Sequence, residues 1–332
     1  MSEAKSKLSY RGNARLKRPG AQFEWTPELI QEYARCKKDC IYFAEKYFKI
    51  VTEDGLVPII LRDYQKEMIE KMINNRFVIS NQSRQSGKTE TFRAFLIWYI
   101  LFHDYKSVAV LANKADTAHE ILGKIQLSYQ ALPLWLQLAV LEFNKGSFVL
   151  ENDSRIIAGS TSSDSMKGYT FQIVILDEAA HIDQWDEFYG SVYPTISAGK
   201  NTKLIMTSTP NGLNHFYDFW IGSEKGENDF KRVYVPWYRV PGRDEKWKLD
   251  TLRGMNNNLE KFAQEFAVDF LGSSGTLVAG WRLKELKNTH KQPIVKLENP
   301  NLLMYERPIK QKQELLQDTS ATIVTRPPHL YT

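Results

Sequence analysis

The sequence predicts an α/β fold, a mostly parallel sheet covered by helices on both faces. Four short apolar, β-branched runs read as core strands, at residues 77–80, 108–111, 173–176 and 204–207. Helix-like segments at about 88–104, 115–131 and 184–196 alternate with them. Runs that stay apolar at every position are buried on both faces, and helical crossovers between them make the strands parallel. The 332 residues are 42% apolar and 25% charged, which excludes general disorder and allows one large core or two domains.

Taken in order, the strand at 77–80 leads into a polar loop and then the longest apolar run, 94–102, bounded by Arg93 and by His103 and Asp104. That run is too short to span a bilayer and reads as a buried helix. Asn152 and Asp153 lie between apolar segments at 148–150 and 156–158, the pattern of a β-hairpin inserted ahead of the 173–176 strand. Leu259, Phe262, Ala263, Phe266, Ala267 and Phe270 recur at helical spacing, and Gly272 stands where a C-terminal cap would end that helix. Beyond Gly280 the periodicity weakens, so the end of the chain is expected to be a linker and a loosely ordered tail.

Charge is unevenly placed. Lys5, Lys7, Arg11, Arg15, Lys17 and Arg18 face only Glu3 in the first twenty residues, a balance of +5 that equals the net charge of the whole chain. A flexible basic arm that touches phosphates or an acidic partner fits this pattern, as does a merely solvated tail. Cys36 and Cys40 have no neighbouring His to suggest zinc and read as reduced core thiols. The N-terminus lacks an apolar segment of signal-peptide type, so a cytosolic setting is expected.

Two motifs carry chemistry. Ser83, Arg84, Gln85, Ser86, Gly87, Lys88 and Thr89 follow the first strand, and Asp177 and Glu178 end the third, about ninety residues later. Converging N–H groups and a helix N-terminus bind phosphate; Gly87 allows close approach, Lys88 reaches the β- and γ-phosphates and Thr89 ligates Mg²⁺. Gln82 occupies the position of the first glycine in the usual phosphate-loop pattern, so the match is partial. Asp177 is assigned to the Mg²⁺ shell and Glu178 to orienting and deprotonating the attacking water, because phosphoryl transfer needs positioning and charge compensation. A chance surface turn, and a strand end that merely exposes two acids, are the plain alternatives. Together the motifs point to ATP hydrolysis.

Further residues are weaker candidates. Arg84 would reach the γ-phosphate and stabilise transition-state charge, or form a structural ion pair with a nearby carboxylate. Thr207, Ser208 and Thr209, with Pro210, Asn211 and Gly212, end the fourth strand, where small hydroxyls would sense hydrolysis or simply form a strand-to-loop turn. The amide of Gln65 would pair with adenine. His181 is given no catalytic part.

At residues 83–89 the sequence resembles the large terminase subunit of tailed bacteriophages, particularly those with contractile tails. The likeness extends through Leu61 to Gln65, Asp177 and Glu178, Thr207 to Gly212 continuing to Asp218, and 272–277, covering roughly residues 22–310. The resemblance implies a P-loop NTPase fold of the additional-strand, catalytic-glutamate type with a small lid subdomain. It implies a motor that uses ATP and Mg²⁺ to move double-stranded DNA, assembled as a homo-oligomeric ring on the portal protein and working with a small terminase subunit, away from any membrane. Its expected location is the host cytoplasm and, transiently, the portal vertex of the capsid. By the same likeness Arg84 is an in-chain arginine finger, Glu178 the catalytic carboxylate, Gln65 the adenine contact, and Thr207, Ser208 and Thr209 the coupling residues.

The expected organisation is a basic flexible arm at 1–21, an ATPase domain with its lid at 22–278 and a truncated tail at 279–332. Family members continue into a metal-dependent nuclease, and the stretch after Gly280 is too short for that sheet, so cleavage activity is expected to be absent. Two rival readings remain: a non-catalytic truncated module that binds ATP or partners, and a helicase-like DNA translocase.

Overall fold

The computed structural model describes residues 9–161 and 169–271, together with short strands at 295–296, 302–305 and 322–325. The chain divides into two compact units, Met1–Ser273 and Ser274–Thr332. In the first, the hairpin β1 (Ser9–Tyr10) and β2 (Asn13–Lys17) precedes helices α1 (Pro27–Lys38) and α2 (Cys40–Tyr47). A second hairpin, β3 (Lys49–Thr52) and β4 (Gly55–Pro58), leads to α3 (Asp63–Asn74). The expected alternation follows: β5 (Phe77–Gln82), α4 (Lys88–Phe102), β6 (Ser107–Ala112) and α5 (Ala115–Gln130). Next come β7 (Val140–Phe143), β8 (Ser147–Leu150), β9 (Arg155–Ser160) and β10 (Ile173–Asp177). Helix α6 (Trp185–Ala198), β11 (Lys203–Ser208), α7 (His215–Lys225), β12 (Lys231–Val235), α8 (Glu245–Gly254) and the short α9 (Leu259–Phe262) complete the unit.

One sheet of eight strands runs in the order β12-β5-β11-β10-β6-β9-β8-β7. It is parallel from β12 to β9, and β8 and β7 are added antiparallel. The alternation of a strand's side chains divides its apolar residues between two cores. Ile173 and Ile175 of β10 face a core shared with α2 to α5, whereas Val174 and Leu176 face a core built on α6 and α7. The apolar run of α4 is buried except at Tyr99, which is half-buried, and this explains why that stretch shows no polar face. The hairpin expected around Asn152 and Asp153 is β8–β9, paired with Phe148 opposite Ile156.

Several expectations are corrected. Residues 9–17 are a folded hairpin rather than a flexible arm: Leu16 is buried in the first core, and Gln137 binds the backbone of Arg15 and Lys17 through its amide. The helix expected from 259 to 270 is α-helical only to Phe262, continues as a π-helical turn over Ala263–Ala267 and stops at Val268 in left-handed backbone (φ 55°). Gly272, the expected cap, lies outside the described residues. In the segment read as a tail, Val295–Lys296, Leu302–Tyr305 and Thr322–Thr325 form a three-stranded antiparallel sheet. Cys36 and Cys40 are free and buried, and burial pushes both thiols up, Cys36 to about 12, so neither is a ready nucleophile. Among the described residues no helix is long and apolar enough to cross a membrane.

A third, smaller core lies off the sheet. Trp237, Leu252 and Phe262 bury one another, with Trp247, Met255 and Phe266 packed around them. Asp244 caps α8 by accepting from the Trp247 amide at 2.7 Å, and Asn258 caps α9 by accepting from Lys261. This subdomain ends in the π-helical turn, which runs beside the sheet's carboxyl edge.

Candidate active site

Strand order gathers the two motifs. β5, β11 and β10 are parallel neighbours, with Ser80 level with Thr207 and Thr207 level with Asp177. The loops that leave their carboxyl ends therefore open on one edge, where α/β sheets bind ligands. β11 is the additional strand between the phosphate-loop strand and the acidic strand.

The phosphate loop is held from several sides. Gln82, standing where the usual pattern has glycine, ends β5 and accepts a hydrogen bond from the Ser86 hydroxyl at 2.9 Å, so strand and loop are tied by a side chain. Ser83 donates its N–H to the Val235 carbonyl (2.8 Å), and Gln85 adopts left-handed backbone (φ 56°) to turn the chain. Tyr64 donates to the Ser86 carbonyl at 2.8 Å. Gly87 caps α4 in left-handed backbone (φ 87°). A Cβ there would stand 2.6 Å from the Gln65 amide nitrogen, so any other residue would meet strained backbone and displace that amide.

Gln65 explains that crowding. Its Nε2 donates to the Gly87 carbonyl (3.2 Å) and to the Thr91 hydroxyl (2.9 Å), and its Oε1 accepts from the Arg62 N–H (3.0 Å). The residue is buried, and both edges of its amide serve the loop and the helix behind it.

Lys88 and Glu178, ninety positions apart, meet at 2.7 Å between Nζ and Oε1. Lys88 is nearly enclosed, while Glu178 is partly open to solvent. Glu178 itself has left-handed backbone (φ 51°, ψ 43°), an arrangement that costs a residue with a side chain about 1–2 kcal/mol. Asp177, one residue before, is buried and accepts from the Thr207 hydroxyl at 2.6 Å. Burial raises its pKa, and the nearby Lys88 charge works against that rise. Ser208 accepts from the Ala180 N–H (3.2 Å) and lies 3.5 Å from the second Glu178 oxygen. Thr209 is buried just past β11. His181 stands 3.9 Å from Glu178.

Thr89, in the first turn of α4, and Asp177 offer a hydroxyl and a carboxylate, both hard oxygen donors. Among the described residues no three His, Cys, Asp or Glu side chains cluster as a metal site. A pair of this kind suits Mg²⁺, which keeps waters and takes its remaining ligands from a substrate's phosphates.

Arg84 forms the ion pair weighed as its alternative: its Nε binds Glu265 at 2.7 Å, and its N–H donates to the Glu265 carbonyl at 2.9 Å. Burial of Glu265 opposes ionisation, but hydrogen bonds from Lys261 and Arg84 outweigh it and hold the carboxyl below its usual range. The π-helical turn that carries Glu265 also sends Gln264 to the Pro210 carbonyl (2.8 Å), so one turn touches both site loops.

Arg243 was not foreseen. Its guanidinium donates to the Ser83 hydroxyl and the Arg84 carbonyl, both at 2.8 Å, and lies 4.6 Å from the Trp247 ring centre. No spacing in the sequence links position 243 to the loop. Basic and aromatic residues at 237–248 are the only local hint.

Together the sheet order and phosphate loop define a P-loop NTPase fold of the additional-strand type. The family described as terminase large subunit, T4likevirus-type, N-terminal, matches residues 79–285, and the chain belongs to that family. The terminase large subunit of Thermus virus P23-45 is 34% identical over 230 residues, covering 59% of this chain and 46% of that protein. The chain thus spans about half the length of the curated relatives it matches. In fold it is similar to the large terminase of bacteriophage HK97 (TM-score 0.58, 18% identity, 70% of this chain and 54% of that one). It is likewise similar to the large terminase ATPase domain of Thermus phage P74-26 (TM-score 0.53, 22% identity, 64% of this chain and 94% of that one).

Proposed function

We propose that the chain hydrolyses ATP and that hydrolysis drives double-stranded DNA into a viral capsid. The observation that carries the reading is the meeting of Lys88 and Glu178 at 2.7 Å on the carboxyl edge of the sheet. Membership of the terminase large subunit family supports the packaging role.

In this reading Lys88 and the loop of Ser83, Gln85, Ser86 and Gly87 bind the β- and γ-phosphates, with the Ser83 N–H kept on the Val235 carbonyl. Thr89 and Asp177 would hold Mg²⁺, which when bound compensates charge on the phosphate oxygens. Glu178 leaves Lys88 to the phosphates, orients the attacking water and takes its proton. Arg84 exchanges Glu265 for the γ-phosphate and stabilises charge in the transition state. Gln65 meets adenine only by giving up one of its bonds to Gly87 or Thr91. Thr207 and Ser208, tied to Asp177 and the Glu178 turn, act with the adjacent Thr209 to pass the change to the subdomain through Pro210 and Gln264. That subdomain is the lid of an ATPase domain spanning 22–278, and a ring of such subunits on the portal protein, supplied with DNA by a small terminase subunit, is the assembly proposed. It acts in the host cytoplasm and at the portal vertex.

ATP turnover by the chain, measured with double-stranded DNA titrated in and with portal protein present or absent, tests the reading. Turnover that DNA raises is expected. Absence of turnover under every condition would instead favour a non-catalytic assembly module.

A further inference from the structure

Glu178, like Gln85 of the phosphate loop, has backbone that is unfavourable in its own right, and the turn after it is held from outside. The carbonyl of Ala179 accepts from His215 Nε2 at 2.7 Å. The carbonyl of Ala180 accepts twice, from Asn214 Nδ2 at 2.7 Å and from Asn211 Nδ2 at 3.2 Å. With the Ala180 N–H on Ser208, three backbone groups just beyond Glu178 are bound by side chains from the end of β11, the loop after it and the start of α7. Strained backbone persists only where its surroundings over-determine it.

Two of these donors are themselves fixed. A carbonyl can only accept, so Nε2 of His215 carries the proton; the ring lies flat on Trp185, with centroids 4.2 Å apart and planes 2° from parallel. Asn214 is the N-cap of α7: its Oδ1 accepts from the Phe216 N–H at 3.1 Å, leaving Nδ2 for the Ala180 carbonyl. Capping needs only the oxygen. The amide nitrogen has no part in the helix, and its bond is made to the turn that carries Glu178.

We propose that Asn214 and His215 are positioning residues for Glu178, fixing through the carbonyls of Ala180 and Ala179 the turn that aims its carboxylate at the attacking water. The inference rests on the assignment of Glu178 as the base. An aiming role shows in the chemical step, because a small misplacement of a catalytic group lowers turnover more than it lowers ground-state binding.

Two substitutions separate this role from a structural one. Asn214→Asp keeps the cap oxygen and removes the donor; His215→Phe keeps a flat ring on Trp185 and removes the donor. Each should lower kcat about ten-fold or more, with ATP affinity within two-fold and an unchanged thermal midpoint. Asn214→Asp added to Glu178→Gln should leave the residual rate of the single variant unaltered, since effects passed through one residue do not add. If kcat stays within two-fold in both single variants, or if ATP affinity and thermal midpoint fall in step with it in both, the inference is overturned. Near-normal turnover in Glu178→Gln would overturn the base assignment itself, which is a separate result.

Discussion

Gly87 shows how closely the site is specified at the scale of one residue. Its left-handed backbone would cost another residue about 1–2 kcal/mol, before any clash is counted. The added methyl of Gly87→Ala would also press on the Gln65 amide, which binds the Gly87 carbonyl and Thr91. The variant should bind ATP about ten-fold or more weakly, the equivalent of about 1.4 kcal/mol. Calorimetric titration checks this, and an affinity within two-fold of the parent would contradict it. Lys88, Asp177 and Glu178 could be singled out from the sequence because each sits at a fixed offset from an apolar strand. Arg243, Asn214 and His215 could not be given contacts that way, since their partners at 83–84 and 179–180 are set by tertiary packing.

At the scale of elements, the core strands and the helices between them were legible because each is apolar over a length only burial explains. β12 was not, since Lys231, Arg232 and the following Pro236 mask a short run whose Val233 and Val235 are buried. Helix α1 buries only Cys36 within its own span. It is anchored to α2 by polar contacts instead: Glu32 accepts from Tyr42, Lys46 and Tyr47 at 2.7–2.8 Å. Burial opposes ionisation of Glu32, but these donors bring its pKa from 4.5 down to about 2. A carboxyl whose pKa is lower folded than unfolded contributes stability that is full above the unfolded value and is lost as pH falls toward the folded one. Urea denaturation of the parent and of Glu32→Gln should therefore differ most above about pH 5 and converge as pH drops toward 2. A gap that persists unchanged to pH 2 would contradict the account.

For the whole molecule, the decisive fact is that a parallel sheet delivers residues remote in sequence to one edge. β11 separates β5 from β10, yet the loops after all three converge, and the small subdomain reaches that edge through Arg243, Gln264 and Glu265. Net charge outside the first twenty residues is zero, so binding of the proposed DNA substrate would depend on where basic groups are arranged rather than on their sum. The hairpin at 9–17 presents Arg11 and Arg15 as exposed side chains on a folded base, a feature composition alone could not distinguish from a loose tail. Lys88 and Glu178 meet at the sheet's carboxyl edge, and the proposed hydrolysis rests on their meeting. The most direct test is to measure ATP affinity and turnover of Glu178→Gln side by side. Affinity close to the parent with turnover lowered about 100-fold or more is the expected result; turnover near the parent's would contradict the account.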